Sequence, residues 1–164
     1  MHPHVRRLYR MAHRWTMDPL EAEDLVQDIL TTLLPRTAEL EAVDCLGPWL
    51  IKVLYRRYID RYRRRRRCLI EQSVSREPEF FLQAADSGDL QQLELRQALC
   101  HALNALDDVR RDTLLLHDVE GYTASEVAEI MDINVGTVKS RLHRARLQLK
   151  KILLQGTIDA RQPS

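Results

Sequence analysis

Cysteine and glycine are both scarce in this 164-residue chain. The three cysteines, Cys45, Cys68 and Cys100, are odd in number, far apart and never spaced as C-x-x-C, so neither a disulfide framework nor a zinc ribbon is supported. The five glycines form no phosphate-cradling run, and no nucleophile motif accompanies them. His2, His4 and His13 do not stand at the spacing of a known metal-ligand set, so no metal and no cofactor is expected. No apolar run reaches the roughly 18 residues of a membrane span, and Met1 to Arg7 lack the apolar stretch of a secretory signal. Alternating runs and β-branched clusters are few, which argues against a sheet. The chain therefore reads as a non-enzymatic protein of a reducing cytoplasm with no membrane insertion.

Lack of net charge is misleading. The total is +1, but it conceals blocks of opposite sign. Asp18 to Asp44 carries a net −7, Arg56 to Arg67 a net +7, and Lys139 to Lys151 a net +6. Two clustered cationic segments are the electrostatic footprint of phosphate binding, whatever the sum.

Apolar spacing is helical throughout, which predicts an all-α protein. A first helix spans about Pro3 to Trp15. Asp18-Pro19-Leu20-Glu21 predicts the start of a second: Asp18 caps free N–H groups, Pro19 suits the first helical position, and Glu21 sits where a capping box places its acid. Leu25, Ile29, Leu30 and Leu33 form its apolar face, and Pro35 marks its end. Gly47-Pro48 begins a third helix, in which Leu50, Leu54, Tyr58 and Tyr62 recur every four residues before the arginine run. Ser, Pro and acidic residues then interrupt the pattern. The expected organisation is an N-terminal helical domain at 1–67, an acidic linker at 68–92, a four-helix domain at 93–155 and a tail at 156–164.

The segment from Thr123 to Arg146 has the demands of a helix-turn-helix. Thr123-Ala124-Ser125-Glu126 is a capping box. Ala128 is the small residue needed where two helices cross. Asp132 falls at the turn, where φ is positive and Asp is tolerated. Val127, Met131, Ile133, Val138 and Leu142 have the spacing to lock the pair, Asn134 can cap the second helix, and Gly136 permits close approach near its start. Val138, Leu142, Ala145, Leu149 and Ile152 form an inward stripe on that helix. Thr137, Lys139, Ser140, Arg141, His143, Arg144 and Arg146 then face outward, as a helix entering a major groove requires.

With those residues in view, the chain resembles a bacterial RNA polymerase sigma factor of the small extracytoplasmic-function (ECF) class. The run Asp118-Val119-Glu120-Gly121-Tyr122-Thr123 through Gly136-Thr137-Val138-Lys139-Ser140-Arg141-Leu142-His143-Arg144-Ala145-Arg146 is similar to sigma region 4. The runs Asp18-Pro19 through Asp28 and Pro48-Trp49-Leu50 through the arginines are similar to region 2. The resemblance implies a transcription initiation factor that binds core RNA polymerase and promoter DNA. The outward residues of the last helix would read the −35 element. Tyr55, Arg56, Arg57, Asp60, Arg61, Arg63 and Arg64 would meet the −10 element as single strand, and Glu21, Asp24, Leu25, Gln27 and Asp28 would dock on polymerase. Aromatic rings interleaved with arginines suit unpaired bases. Tyr58, Tyr62 and Trp49 continue a core stripe, which leaves Tyr55 as the stacking residue. The resemblance also implies an anti-sigma partner, and the acidic linker, with Glu77, Glu79, Asp86 and Asp89, would thread a basic polymerase channel. The sequence departs from the usual family pattern at Leu54, Arg56 and Tyr58, so base preference does not carry over. The alternative is a freestanding helix-turn-helix regulator of duplex DNA, which leaves the first half of the chain without a role.

Overall fold

The computed structural model describes residues 2–68 and 90–159; the expected acidic linker lies outside the described residues apart from its two ends. Every regular element among them is helical: α1 (His2–Thr16), α2 (Pro19–Leu33), a 3-10 turn (Leu34–Arg36), α3 (Thr37–Glu41), α4 (Leu46–Cys68), α5 (Leu90–Asn104), α6 (Asp108–Leu114) running into a π-helical turn (Leu115–Val119), α7 (Ala124–Met131) and α8 (Val135–Asp159). They form two compact units.

The first unit packs α1, α2 and α4 against one another. The α1–α2 link is only two residues. Met17 takes φ 54°, which ends α1, and Asp18 caps α2 by accepting from the N–H groups of Leu20 and Glu21 at 2.9 and 3.2 Å. Leu8, Met11, Ala12 and Trp15 from α1, Leu25, Val26 and Ile29 from α2, and Ile51, Leu54, Tyr55 and Tyr58 from α4 are buried. Trp15 organises the aromatic part of this core. Its ring meets Tyr55 edge-on at 5.2 Å between centroids and stacks on Tyr58 at 5.6 Å, and Tyr58 passes the row on to Tyr62 at 6.1 Å.

The second unit packs α5 and α6 against α8. Leu103, Leu106, Leu114 and Ala145 form one cluster, with Leu99 and Leu149 against it. Asp107 caps α6 at the Arg110 N–H, 2.9 Å away, and the Arg110 guanidinium reaches Gln148 on α8 at 3.0 Å. The π turn is closed by Glu120 N–H to Leu115 O at 3.0 Å, and Gly121 turns the chain at φ 78°. Helix α8 continues five residues beyond Leu154, through Gly156 to Asp159, so the residues just past 155 are helix rather than the tail the sequence suggested.

Asp112 on α6 is 1% exposed, and one of its carboxylate oxygens has no hydrogen-bond partner. Burial pushes its pKa up to about 8 against the opposing pull of Arg111. The unfolded chain releases this proton near pH 4, whereas the folded chain keeps it until about pH 8. The folded state therefore loses stability as pH rises across that window and levels off above it. Asp112→Asn should leave stability little changed at the acid end and raise it by several kcal/mol at the alkaline end, since each pKa unit by which burial shifts the carboxyl is worth about 1.4 kcal/mol. Thermal unfolding of both proteins across the window checks this.

Candidate nucleic-acid interface

The helix-turn-helix is set by local hydrogen bonds. The Thr123 hydroxyl accepts from the Glu126 N–H at 3.2 Å while the Glu126 carboxylate accepts from the Thr123 N–H at 2.8 Å, the reciprocal capping box the sequence foretold. Asp132 takes φ 57° at the turn, and the Ile133 N–H closes it on Ala128 O at 3.0 Å. Asn134 then caps α8, its side-chain oxygen accepting from the Thr137 N–H at 2.7 Å and the Thr137 hydroxyl at 2.9 Å. A Cβ on Gly136 would stand 3.3 Å from that oxygen, so the glycine makes room for the cap. Val127, Ala128, Met131, Val138, Leu142 and Ala145 are buried, and burying each of the larger ones contributes about 1.5–3 kcal/mol toward fixing α8 against its neighbours.

The outward face of α8 follows the expected register. Lys139, Ser140, His143 and Arg144 are exposed, and Thr137 and Arg141 are half-buried. Among the described residues no ion pair engages Lys139, Arg141 or Arg144. The two hydroxyls are turned inward: Thr137 onto Asn134, and Ser140 onto Thr137 O at 3.0 Å. Arg146 differs from its neighbours. Its Nε and Nη2 donate to the two oxygens of Asp118 at 3.0 and 2.6 Å, and His117 Nδ1 lies 2.7 Å from the same carboxylate. The Arg146 bond, reinforced by His117, holds the Asp118 carboxyl below the usual range, and Asp118 raises Arg146 in turn. Arg146 is therefore a partner of the π turn and not a free cation on this face.

On α4 the arginines separate into two ridges. Arg56, Asp60, Arg63 and Arg64 are exposed, and none of them forms an ion pair with α2 among the described residues. Arg57, Arg61 and Arg65 recur every four residues and face acids of α2. Asp28 lies 3.8 Å from Arg57 and 3.4 Å from Arg61, and Glu21 is bound by Arg65. Glu21 thus pairs across the unit. Glu21, Leu25, Tyr58, Arg61, Tyr62 and Arg65 line a cleft of about 30 Å³ between the helices.

Two expectations from the sequence are corrected here. Tyr55 is only 7% exposed and sits under Trp15, so its ring has no face to offer an unpaired base; the half-buried aromatic at the end of the row is Tyr62. Leu25 is fully buried in the α1–α2–α4 core and presents nothing to a partner, whereas Asp24 and Gln27 beside it are exposed. The sequence missed Trp15 as the lid on Tyr55, because only tertiary packing brings α1 over α4. Among the described residues no His/Cys/Asp/Glu cluster could hold a metal, and no helix is long and apolar enough to cross a membrane.

Comparison with known proteins matches both ends of the chain. The family model for sigma-70 region 2 matches residues 1–68, and that for sigma-70 region 4 matches residues 96–149. The chain is 31% identical to the ECF RNA polymerase sigma factor EcfG of Rhodopseudomonas palustris, over 80% of this chain and 71% of that one. It is 28% identical to the ECF RNA polymerase sigma factor SigE of Mycolicibacterium smegmatis, covering 97% of its own length but 62% of the relative's. Among solved structures it resembles the sigma factor RpoE of Bartonella quintana, determined in complex with the anti-sigma factor NepR, with a TM-score of 0.75, 27% identity and 92% of each chain covered.

Proposed function

Because the chain belongs to the ECF class of sigma-70 RNA polymerase sigma factors, we propose that it binds core RNA polymerase and directs it to promoters, with α8 reading the −35 element as duplex and α4 meeting the −10 element as single strand. It is a non-catalytic factor working in the cytoplasm, and the chemistry of transcription belongs to the polymerase. The observation that carries the reading is the presence, in one chain, of a capped helix-turn-helix whose outward cations Lys139, Arg141 and Arg144 meet no carboxylate among the described residues, and an arginine-rich helix bordered by an acidic one.

The division of labour follows from side-chain chemistry. Arg141 and Arg144 suit base edges and phosphates in a major groove, with Lys139 and His143 on the flanking backbone. Arg56, Arg63 and Arg64 suit the backbone of an unpaired strand, and the half-buried Tyr62 supplies a ring edge where Tyr55 does not. Glu21, Asp24, Gln27 and Asp28 present an acidic helix to a basic surface of the polymerase. The acidic linker would lie along a basic channel between the two ends, and the two domains are read as 1–67 and 93–155. An anti-sigma protein, as in the complex of the Bartonella relative, would act by covering these surfaces.

A freestanding helix-turn-helix regulator would use α8 alone and leave α2 and α4 idle. Gel filtration of the chain with core RNA polymerase separates the two. Co-elution, weakened by Asp24→Asn, is the expected outcome. No co-elution, with duplex binding intact, would leave the regulator as the better reading.

A further inference from the structure

Two of the acids assigned to polymerase, Glu21 and Asp28, contact arginines of α4: Arg57 and Arg61, assigned to the −10 strand, and Arg65 on the same ridge. Along α2 the acids rise from Glu21 to Asp28, while along α4 their partners fall from Arg65 to Arg61 and Arg57. The two ridges run antiparallel and face each other in register. These side chains are not sealed into the core: Asp28 is 41% exposed, Arg57, Arg61 and Arg65 are 46%, 37% and 48% exposed, and Glu21 is the most covered at 20%. Exposed pairs of this kind are weak, and salt screens them. They are therefore exchangeable. A phosphate can take an arginine from a carboxylate, and a basic partner can take the carboxylate from an arginine.

We propose that Glu21 and Asp28 act as internal competitors for the phosphates of the single strand, so that Arg57, Arg61 and Arg65 become fully available only when the polymerase draws those carboxylates away. This rests on the sigma-factor reading given above. What it adds is the device: one row of ion pairs through which polymerase binding and strand capture reinforce each other. The coupling is reciprocal, since whatever factor the polymerase adds to strand affinity the strand adds to polymerase affinity. Arg56, Arg63 and Arg64, on the other ridge, are held by no carboxylate among the described residues and give the free protein its residual strand affinity.

The test compares the wild-type full chain with Glu21→Gln/Asp28→Asn for binding to a short single-stranded oligonucleotide, read by fluorescence anisotropy. The double variant should bind roughly three- to tenfold tighter at low salt, the range weak exposed pairs allow, with the gap closing as salt rises. Its log–log salt slope should steepen by about 0.7 for each phosphate gained. Glu23→Gln/Glu41→Gln removes the same charge from the same unit without touching these arginines, and should gain less than about twofold because its charges are screened from the strand. With core polymerase saturating, the ratio of wild type to Glu21→Gln/Asp28→Asn should fall to about one. No gain from Glu21→Gln/Asp28→Asn, an equal gain from the control pair, or a ratio that persists in the polymerase complex would overturn the proposal. Co-elution of the wild type with polymerase is read in the same samples. Its failure would remove the assignment of α2 to polymerase, while the oligonucleotide comparison would still decide whether the carboxylates compete with phosphate.

Discussion

Trp15→Ala should unfold the first unit. Truncating a buried Trp costs about 3–5 kcal/mol, and a single small core of this size supplies about that much in all. Trp15 is 3% exposed and lies against both Tyr55 and Tyr58. Its loss empties the space that orients α1 over α4, and with it the ridge of Arg57, Arg61 and Arg65. Its indole N–H finds no acceptor among the described residues, so Trp15→Phe sacrifices no hydrogen bond and should be much milder. Hydrogen exchange on the full chain checks this. Protection should vanish across α1, α2 and α4 in Trp15→Ala and persist in α5 to α8. Co-elution with polymerase should be lost, while binding to a −35 duplex is retained. Normal protection in α4 would mean that the aromatic row does not hold this unit together.

Arg141→Ala should erase much of the sequence preference at the −35 element without weakening polymerase binding. A guanidinium reading a base edge with two hydrogen bonds is worth about 1–3 kcal/mol of discrimination, or up to a hundredfold between matched and mismatched sites. Arg141 stands on the outward face of α8, two turns into the helix that Asn134 caps, and no carboxylate in the described residues claims it. Lys150→Ala is the contrasting case. An exposed lysine meeting a phosphate should lower affinity for all sequences alike and reduce the salt slope by about one. Titration of matched and mismatched duplexes at two salt concentrations distinguishes them. If both variants lose affinity evenly across sequences, Arg141 contacts backbone and base reading lies elsewhere on the helix.

The parts of the fold that were legible in the sequence are those fixed by neighbours a few residues apart. Asp18 before Pro19, Thr123 before Glu126, Asp132 at the turn and Asn134 before α8 each satisfy backbone groups within three or four residues, so their chemistry is written locally. The outward residues of α8 follow from the same register. What escaped depends on distant partners. Glu21 stands where a capping box places its acid, and nothing local reveals that Arg65, 44 residues away, also binds its carboxylate. Tyr55 lies off the four-residue stripe of Leu50, Leu54 and Tyr58, yet α4 is covered from two sides, by α1 and α2, and this widens its buried face to include Ile51 and Tyr55. Arg146 looked like another outward cation because nothing in its own helix reveals that the π turn brings Asp118 within reach. Leu25 shows the opposite case: its place in the apolar stripe with Ile29 and Leu33 already pointed inward, and burial agrees with the stripe over the family-derived contact.

This chain should turn core RNA polymerase into a promoter-specific enzyme, and run-off transcription from fragmented genomic template is the decisive measurement. Added to core polymerase, the chain should produce discrete new start sites sharing a common −35 sequence, and Arg141→Ala should blur them while leaving total polymerase binding unchanged. Transcription with the chain present that matches core polymerase alone, despite intact duplex binding by α8, would contradict it.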